Sequence, residues 1–301
     1  MDVRAEPQLI DSESMLHAGP MSLPSPAVFK YENTVLGWAK PFPSGLRAWR
    51  DLSYGPDPQH RYDVFTTPRL ENAPVLVFWH GGGWTRGCKE AVSFLASTIT
   101  RLGMVLVAPT HRLAPMHRLP AAFDDAAILL AHLSTRAHEW GGDPDRFYLA
   151  GHSTGGAIAA MTALRRSTLQ LVKFNHKAVR GCLPISGVMD LRHPCSFWDD
   201  TKQYDPAVLV EETESAASMS VLSWATANSV PMLLSYGQYD DAGVARSNRR
   251  MYAILKHTSL NRLISCHRNR GDDHFLTHLS LNQPLHPWFS RLVQLVRQTS
   301  G

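Results

Sequence analysis

The sequence predicts an α/β fold, in which a mostly parallel central sheet carries helices on both faces. Short, continuous apolar runs recur along the chain, and such runs are typical of strands buried on both faces. Stretches with helical spacing lie between them, and strands that alternate with helices favour a parallel sheet. The 301 residues are 44% hydrophobic and 19% charged, which provides enough apolar side chains for a large core.

Seven segments have the pattern of strands. The first alternates apolar and polar residues, whereas the second, PVLVFW, is an unbroken apolar run that ends at a histidine and three glycines. The predicted strands lie at 61–65, 74–79, 104–109, 146–151, 181–186, 230–237 and 262–266. Helical apolar spacing predicts helices at 89–102, 120–136, 155–166, 242–256 and 287–298.

We expect a single domain over residues 29–301. Residues 1–28 are polar and interrupted by Pro and Ser, which predicts a loosely ordered N-terminal lead-in. One long stretch without a clear strand pattern runs over 190–229. We expect this stretch to form a cover over the site.

Charge and cysteine content exclude several classes of function. The formal net charge is +4 and the basic residues are scattered, which predicts no nucleic-acid partner. There is no apolar signal-peptide core and no apolar run of about 18 residues, so we expect no membrane partner. The cysteines form no CxxC pair, so we expect no metal site and no disulfide framework, but reduced thiols in a cytoplasmic protein. They are Cys88, Cys182, Cys195 and Cys266.

A serine between glycines marks the first candidate catalytic position. Ser153 stands in Gly-His-Ser-Thr-Gly, after a predicted strand and before a predicted helix, and this string fits the pattern G-x-S-x-G. A nucleophilic serine held on a sharp strand-to-helix turn needs small neighbours, because strand and helix approach closely there. The alternative is a structural serine that caps the helix in a glycine-rich turn.

A second glycine-rich string follows the strand at 74–79. His80 is followed by three glycines and Trp84. Successive glycines allow backbone N–H groups to approach a developing oxyanion, and we expect the N–H groups of Gly82, Gly83 and Thr154 to form such an oxyanion hole. The alternative is a plain glycine-rich turn, and we expect His80 to support the loop.

An acid that orients a catalytic histidine belongs at the end of a later strand. Asp240 lies three residues beyond Gly237, where the strand at 230–237 ends, and its neighbour Asp241 is the alternative.

The candidate histidine is His274, which follows the strand at 262–266 in the string GDDHF. It comes 34 residues (274 − 240) after Asp240, which fits a single helix–strand passage. Three other histidines compete for the role, and we expect His278 to be a surface residue of a following helix. The competitors are His278, His267 and His286.

With these motifs the sequence resembles the α/β-hydrolase fold, and within it the hormone-sensitive-lipase-like esterases and the arylformamidases. Four strings carry the general resemblance: HGGGW (80–84), HRLAP (111–115), PAAFDDA (120–126) and GGDPDRFYLAGHS (141–153). Four others are similar to the arylformamidases: DLSYGPDPQHRYDVF (51–65), HGGGWTRGCKE (80–90), LPISGVMDLRH (183–193) and DDHF (272–275).

This resemblance implies a serine hydrolase in which Ser153 is the nucleophile, Asp240 the orienting acid and His274 the base. Thr154 departs from the alanine that is commonest after the nucleophile. Gly83 departs from the bulkier residue often found in animal arylformamidases. Asp190, in the string SGVMDL, is interpreted as structural, and a role in shaping the pocket is the alternative.

The expected reaction is acyl transfer to water without a cofactor. Trp84 and Phe275 are aromatic neighbours of the predicted site, and aromatic walls suit a planar aryl group. The leading hypothesis is hydrolysis of an aryl amide or formamide such as N-formylkynurenine. The alternative is a carboxylesterase acting on short-chain acyl esters, and a remote alternative is a non-catalytic small-molecule receptor. The expected partner is the small-molecule substrate, with a homodimer left open.

Overall fold

A computed structural model describes residues 25–39, 45–192, 209–212, 214–226, 228–258, 260 and 263–300. Residues 1–24 of the predicted lead-in lie outside the described residues, and the predicted boundary at residue 28 falls inside a helix that begins at Pro26. Residues 193–208, 213 and 227 of the predicted cover also lie outside them. Its described part includes a 3₁₀ turn, Val221–Trp224, and a bridge between Val210 and Leu119.

The predicted α/β fold is confirmed by an eight-stranded sheet with the strand order β1-β2-β4-β3-β5-β6-β7-β8. Strand β2 pairs antiparallel with β1 and with β4, and the remaining pairs are parallel. The strands are β1 (Arg47–Ser53), β2 (Arg61–Thr66), β3 (Ala73–Trp79), β4 (Val105–Pro109), β5 (Gly142–His152), β6 (Val179–Ile185), β7 (Met232–Tyr239) and β8 (Ile264–Asp273).

The five predicted helices lie close to their predicted positions, with two differences. The predicted helix 89–102 begins as a 3₁₀ turn, Lys89–Leu95, and the predicted helix 155–166 ends at Leu164 before a second short helix begins. Within the described residues, the α-helices are α1 (Pro26–Gly37), α2 (Ala96–Arg101), α3 (Ala121–Arg136), α4 (Thr154–Leu164), α5 (Arg166–Leu171), α6 (Ala242–Thr258), α7 (Leu276–Leu279) and α8 (Pro287–Thr299). None of the described helices is long and apolar enough to cross a bilayer.

Two hydrophobic cores cover the two faces of the sheet. Along β3, Val75 and Val77 pack into one core and Leu76 and Phe78 into the other, because successive side chains of a strand point to opposite faces. Helices α3 and α4 complete the first core, and α2 and α8 complete the second. Burial on both faces is the physical reason for the continuous apolar runs in the sequence.

Helix α4 is the most deeply buried of the described helices. All of its residues are buried, and it packs against β5, β6 and α3. Its small residues, such as Gly155, Gly156 and Ala157, allow this close packing. The helix therefore provides a rigid support directly behind the turn that holds Ser153.

Candidate active site

The turn between β5 and α4 holds Ser153 in a strained conformation. Its backbone has φ 56° and ψ −121°, a region that L-residues rarely adopt, and its side chain is 1% exposed. Ser153 occupies the N-cap position of α4, but its side chain makes no capping hydrogen bond. The alternative of a structural capping serine is therefore wrong.

The two glycines of G-x-S-x-G are required by close backbone contacts. A Cβ atom on Gly155 would lie 2.2 Å from the carbonyl oxygen of Trp79, which ends β3. A Cβ atom on Gly151 would lie 2.4 Å from the carbonyl carbon of Gly155. Both distances are too short for any side chain, so glycine at both positions allows β3, β5 and α4 to converge on the serine turn.

A chain of hydrogen bonds joins the three residues that the sequence singled out. The Nε2 atom of His274 lies 3.0 Å from Oγ of Ser153, and Nδ1 lies 2.8 Å from Oδ1 of Asp240. Because a carboxylate oxygen only accepts, Nδ1 carries the proton and Nε2 presents its lone pair to the serine hydroxyl. His274 is 4% exposed, so this contact is shielded from water.

The Asp240 carboxylate is held by further hydrogen bonds. Oδ2 accepts from Oγ of Ser186 at 2.6 Å and from the N–H of Gly237 at 3.0 Å, and Oδ1 also accepts from the N–H of Asp241 at 2.9 Å. Burial acts to raise the pKa of Asp240, but attraction by His274 and these hydrogen bonds outweigh it and hold the pKa below 3.8.

Ser186 is a residue that the sequence reasoning missed. It directly follows β6, is completely buried, and has φ 47°. The signal was available, since a Ser-Gly pair after a predicted strand stands in the string LPISGVMDLRH. Only the fold shows that this hydroxyl reaches Asp240.

Asp241, the alternative acid, forms different hydrogen bonds. Oδ1 of Asp241 accepts from the N–H groups of Gly243 and Val244 at 2.7 and 3.1 Å, at the start of α6. Side-chain bonds of this kind satisfy the first N–H groups of a helix. Asp240, rather than Asp241, is the residue that contacts His274.

The competing histidines contact residues other than Ser153 and Asp240. His267 bonds Ser265 on β8 at 2.9 Å, and His286 caps α8 by accepting from the N–H of Trp288. The expectation that His278 is a surface residue is wrong, because it is completely buried. Helix α7 has only four residues, and it turns His278 inward against Phe78 of β3, with a ring distance of 5.5 Å.

The glycine loop after β3 lies directly against the serine turn. A Cβ atom on Gly81 would lie 3.1 Å from Cβ of Ser153. Gly82 has φ 141°, and a Cβ atom there would lie 1.9 Å from the carbonyl oxygen of Arg86. Gly83 has φ 64°. Gly82 therefore requires glycine, and the contact of Gly81 places the loop backbone directly against Ser153.

The three expected oxyanion donors are available for a ligand. Within the described part of the chain, the N–H groups of Gly82, Gly83 and Thr154 donate to no acceptor. Thr154 is the first residue of α4, where an N–H has no partner inside the helix. His80 donates from Nδ1 to the carbonyl of Gly81 at 2.7 Å, which supports the loop.

The two expected aromatic walls differ in their surroundings. Trp84 is 2% exposed and belongs to the core, where it packs edge-to-face on Phe123 at 5.5 Å. Phe275 is half-buried and lies 5.1 Å from Tyr31 and 5.5 Å from His274. The substrate-binding roles of Trp84 and Phe275 remain predictions.

Asp190 forms an ion-paired cluster of its own. Its carboxylate accepts from Arg192 at 2.8 Å and from Arg250 at 3.2 Å, and it is 2% exposed. These contacts tie the segment after β6 to α6, as a structural residue would. Over the described residues, no group of three or more His, Cys, Asp or Glu side chains is arranged to hold a metal ion.

The comparisons with known proteins agree with this fold. A family model described as the alpha/beta hydrolase fold matches residues 76–246. The carboxylesterase NlhH of Mycobacterium tuberculosis is 39% identical over 94 residues, 31% of this chain and 30% of that protein. The esterase LipC of the same organism is 27% identical over 211 residues, 64% of this chain and 51% of that protein.

The matched segments therefore span between about a third and half of these relatives' own length. Among solved structures, a hyperthermophilic esterase from the archaeon Pyrobaculum calidifontis superposes with a TM-score of 0.70 at 20% identity, covering 89% of this chain and 86% of that chain. This likeness concerns the fold. Because the family match extends over more than half of the chain, the protein belongs to the alpha/beta hydrolase fold family.

Proposed function

We propose that the protein is a serine hydrolase that cleaves carboxylic esters through an acyl-enzyme. The observation that carries the proposal is the buried hydrogen-bond chain from Ser153 through His274 to Asp240 beside the glycine loop. A serine hydroxyl facing an imidazole lone pair, with the imidazole oriented by a carboxylate, is the arrangement that nucleophilic catalysis requires.

In the first half of the reaction, Oγ of Ser153 attacks the ester carbonyl and its proton passes to Nε2 of His274. The Asp240 carboxylate stabilises the resulting imidazolium, which matches the lowered pKa of this acid. The N–H groups of Gly82, Gly83 and Thr154 receive the oxyanion. Removal of one such donor typically costs about 3–4 kcal/mol of barrier.

The tetrahedral intermediate then collapses. The bond to the alcohol oxygen breaks, His274 returns its proton to that oxygen, and the acyl group stays on Ser153. In the second half, water gives a proton to His274 and attacks the acyl-enzyme. The acid is released when the bond to Oγ breaks and the serine regains its proton. No cofactor enters either half of this scheme.

The names of the relatives bear on the leaving group. The sequence led first to an aryl amide or formamide and kept a short-chain ester as the alternative. NlhH is named a carboxylesterase and LipC an esterase, so the relatives support the alternative. We therefore place ester hydrolysis first and retain the aryl formamide only as a comparison substrate in the test.

The test compares p-nitrophenyl acetate with N-formylkynurenine as substrates of the purified chain. We expect turnover of the ester, a loss of more than about a thousandfold in the Ser153→Ala variant, and labelling of Ser153 by a fluorophosphonate. Ester turnover that persists in the variant refutes the role of Ser153. Cleavage of the formamide alone refutes the ester proposal, and failure of fluorophosphonate labelling favours the receptor alternative.

A further inference from the structure

Three side chains that the proposed mechanism does not use form a hydrogen-bonded cluster behind His274. They are Tyr31 on α1, His152 at the end of β5 and His278 on α7. Nε2 of His152 lies 2.9 Å from the carbonyl oxygen of His274. The Tyr31 hydroxyl lies 2.8 Å from Nδ1 of His278 and 3.5 Å from Nδ1 of His152. The two imidazole rings stack at 5.0 Å with an interplanar angle of 9°.

The contact with the carbonyl oxygen of His274 shows which ring nitrogen of His152 carries the proton in this structure. A carbonyl only accepts, so Nε2 of His152 must carry hydrogen. Burial, together with repulsion by His274 and His278, lowers the pKa of His152 well below its ordinary value, so the ring is neutral. A neutral imidazole has only one N–H group, and in His152 it is on Nε2. Nδ1 of His152 therefore carries a lone pair, which faces the Tyr31 hydroxyl.

Tyr31 has a single proton to share between two histidines. If it donates to His278, the N–H of His278 lies on Nε2, which finds no partner within the described residues, and Nδ1 of His152 loses its donor. If it donates to His152 and accepts from Nδ1 of His278, only one lone pair stays unused. The second arrangement leaves fewer buried groups unsatisfied, and no buried N–H without an acceptor.

We propose that Tyr31 is a positioning residue for the catalytic histidine, through a directed chain from His278 to Tyr31 to His152 to the His274 carbonyl. This inference rests on the proposed function. The Tyr31 hydroxyl holds His152 in the tautomer with hydrogen on Nε2, and that N–H holds the backbone of His274. In the other tautomer, a lone pair of His152 would face the carbonyl oxygen and repel it.

The position of His152 explains why this chain of hydrogen bonds affects the reaction. His152 directly precedes Ser153 in the chain, so its side chain ties the strand of the nucleophile to the turn of the base. The same carbonyl also accepts from Oγ1 of Thr277 at 2.6 Å. Loss of one of the two donors leaves the turn in place but less well fixed relative to Ser153.

The first test is Tyr31→Phe, which keeps the ring against Phe275 and removes only the hydroxyl. We expect kcat for p-nitrophenyl acetate to fall by about tenfold, because small displacements of a catalytic group are costly, with KM nearly unchanged. The matched control is Tyr62→Phe, which removes a hydroxyl hydrogen bond to His132 of 3.0 Å on another part of the fold. Equal kcat in the two variants overturns the proposal.

The second test separates tautomer control from packing. His152→Gln keeps an amide N–H near the position of Nε2 but has no ring tautomer for Tyr31 to select. We expect this variant to retain more activity than His152→Leu, and we expect Tyr31→Phe to have little further effect in the His152→Gln background. If Tyr31→Phe lowers activity by the same factor in the wild type and in His152→Gln, the proposed path through His152 is overturned.

Two readouts do not depend on the identity of the substrate. Nitrogen NMR of histidine-labelled protein reports which ring nitrogen of His152 carries the proton, and we expect a single tautomer in the wild type and a mixture in Tyr31→Phe. The rate of fluorophosphonate labelling of Ser153 should fall by about tenfold with the same variant. If both changes are observed in Tyr31→Phe but the wild type does not cleave the ester, only the proposed function is refuted. If the tautomer of His152 is the same in Tyr31→Phe as in the wild type, the role of Tyr31 is refuted.

Discussion

The burial of His278 leads to a quantitative prediction of how the free energy of unfolding falls at low pH. Burial, with a smaller contribution from His80, lowers its pKa from 6.5 to about 3. The folded protein therefore excludes a proton that the unfolded chain binds between about pH 6.5 and pH 3. Stability from this group is complete above pH 6.5 and is lost as the pH falls, since the unfolded state binds more protons there.

The magnitude follows from the two pKa values. At pH 5.5 the unfolded chain is about ten times more often protonated than neutral at this residue, which corresponds to a loss of about 1.4 kcal/mol of unfolding free energy. The pKa values of His80, His111 and His152 are also lowered by burial, so each adds a loss of the same sign.

The assay is urea unfolding followed by tryptophan fluorescence at pH 8.0 and pH 5.5 and constant ionic strength. His278→Phe keeps an aromatic ring against Phe78 and removes the titrating group. We expect this variant to lose about 1.4 kcal/mol less than the wild type between the two pH values, whatever its stability at pH 8.0. His257→Gln, at an exposed position of α6, is the control and should follow the wild type. A variant that shows the full wild-type loss refutes the reasoning.

Three further substitutions test the site. Ser186→Ala removes the 2.6 Å hydrogen bond to Asp240, and because bonds to buried charges contribute about 1.5–3 kcal/mol, we expect a lower Tm and a kcat reduced by about tenfold; an unchanged kcat contradicts this role. Asp240→Asn keeps the shape of the side chain and removes its charge, so kcat should fall on the order of 10⁴-fold. A much smaller loss of kcat would show that another acid orients His274. Gly155→Ala places a Cβ atom 2.2 Å from a backbone oxygen, so the variant should unfold at a much lower temperature in a thermal scan, while Gly37→Ala, with nothing within 4 Å, should not; equal Tm values refute the packing argument.

The strands were predictable from the sequence where burial is symmetrical, and less so at the sheet edges. Residues of β3, β4 and β5 face a core on both sides, and their apolar runs gave boundaries within a few residues of the observed ones. Strand β1 was missed because it is an edge strand with exposed and half-buried residues throughout. Strand β8 extends beyond the predicted 262–266 through the polar string HRNRGDD, which pairs along β7 up to Tyr239.

The sequence was enough to single out the three residues proposed to react, but not the residues that support them. Ser153, Asp240 and His274 each follow a strand, and motif spacing was enough to single them out. The roles of Ser186, His152 and His278 depend on which strands become neighbours, and a local pattern does not contain that information. For His278, helical spacing favoured the surface, whereas the packing of a very short helix on β3 decides its burial.

The order of the strands explains why a fourth residue stands between the proposed acid, Asp240, and the proposed nucleophile, Ser153. Strands β5, β6, β7 and β8 are parallel neighbours, so their carboxyl ends form one edge with a spacing of about 4.8 Å. Ser153 follows β5 and Asp240 follows β7, which leaves the end of β6 between them. Ser186 occupies that position, and its hydroxyl donates to the acid of the next strand. His274, from β8, then reaches back across this edge to Ser153, so a shift of any one strand end would displace the imidazole relative to the serine hydroxyl.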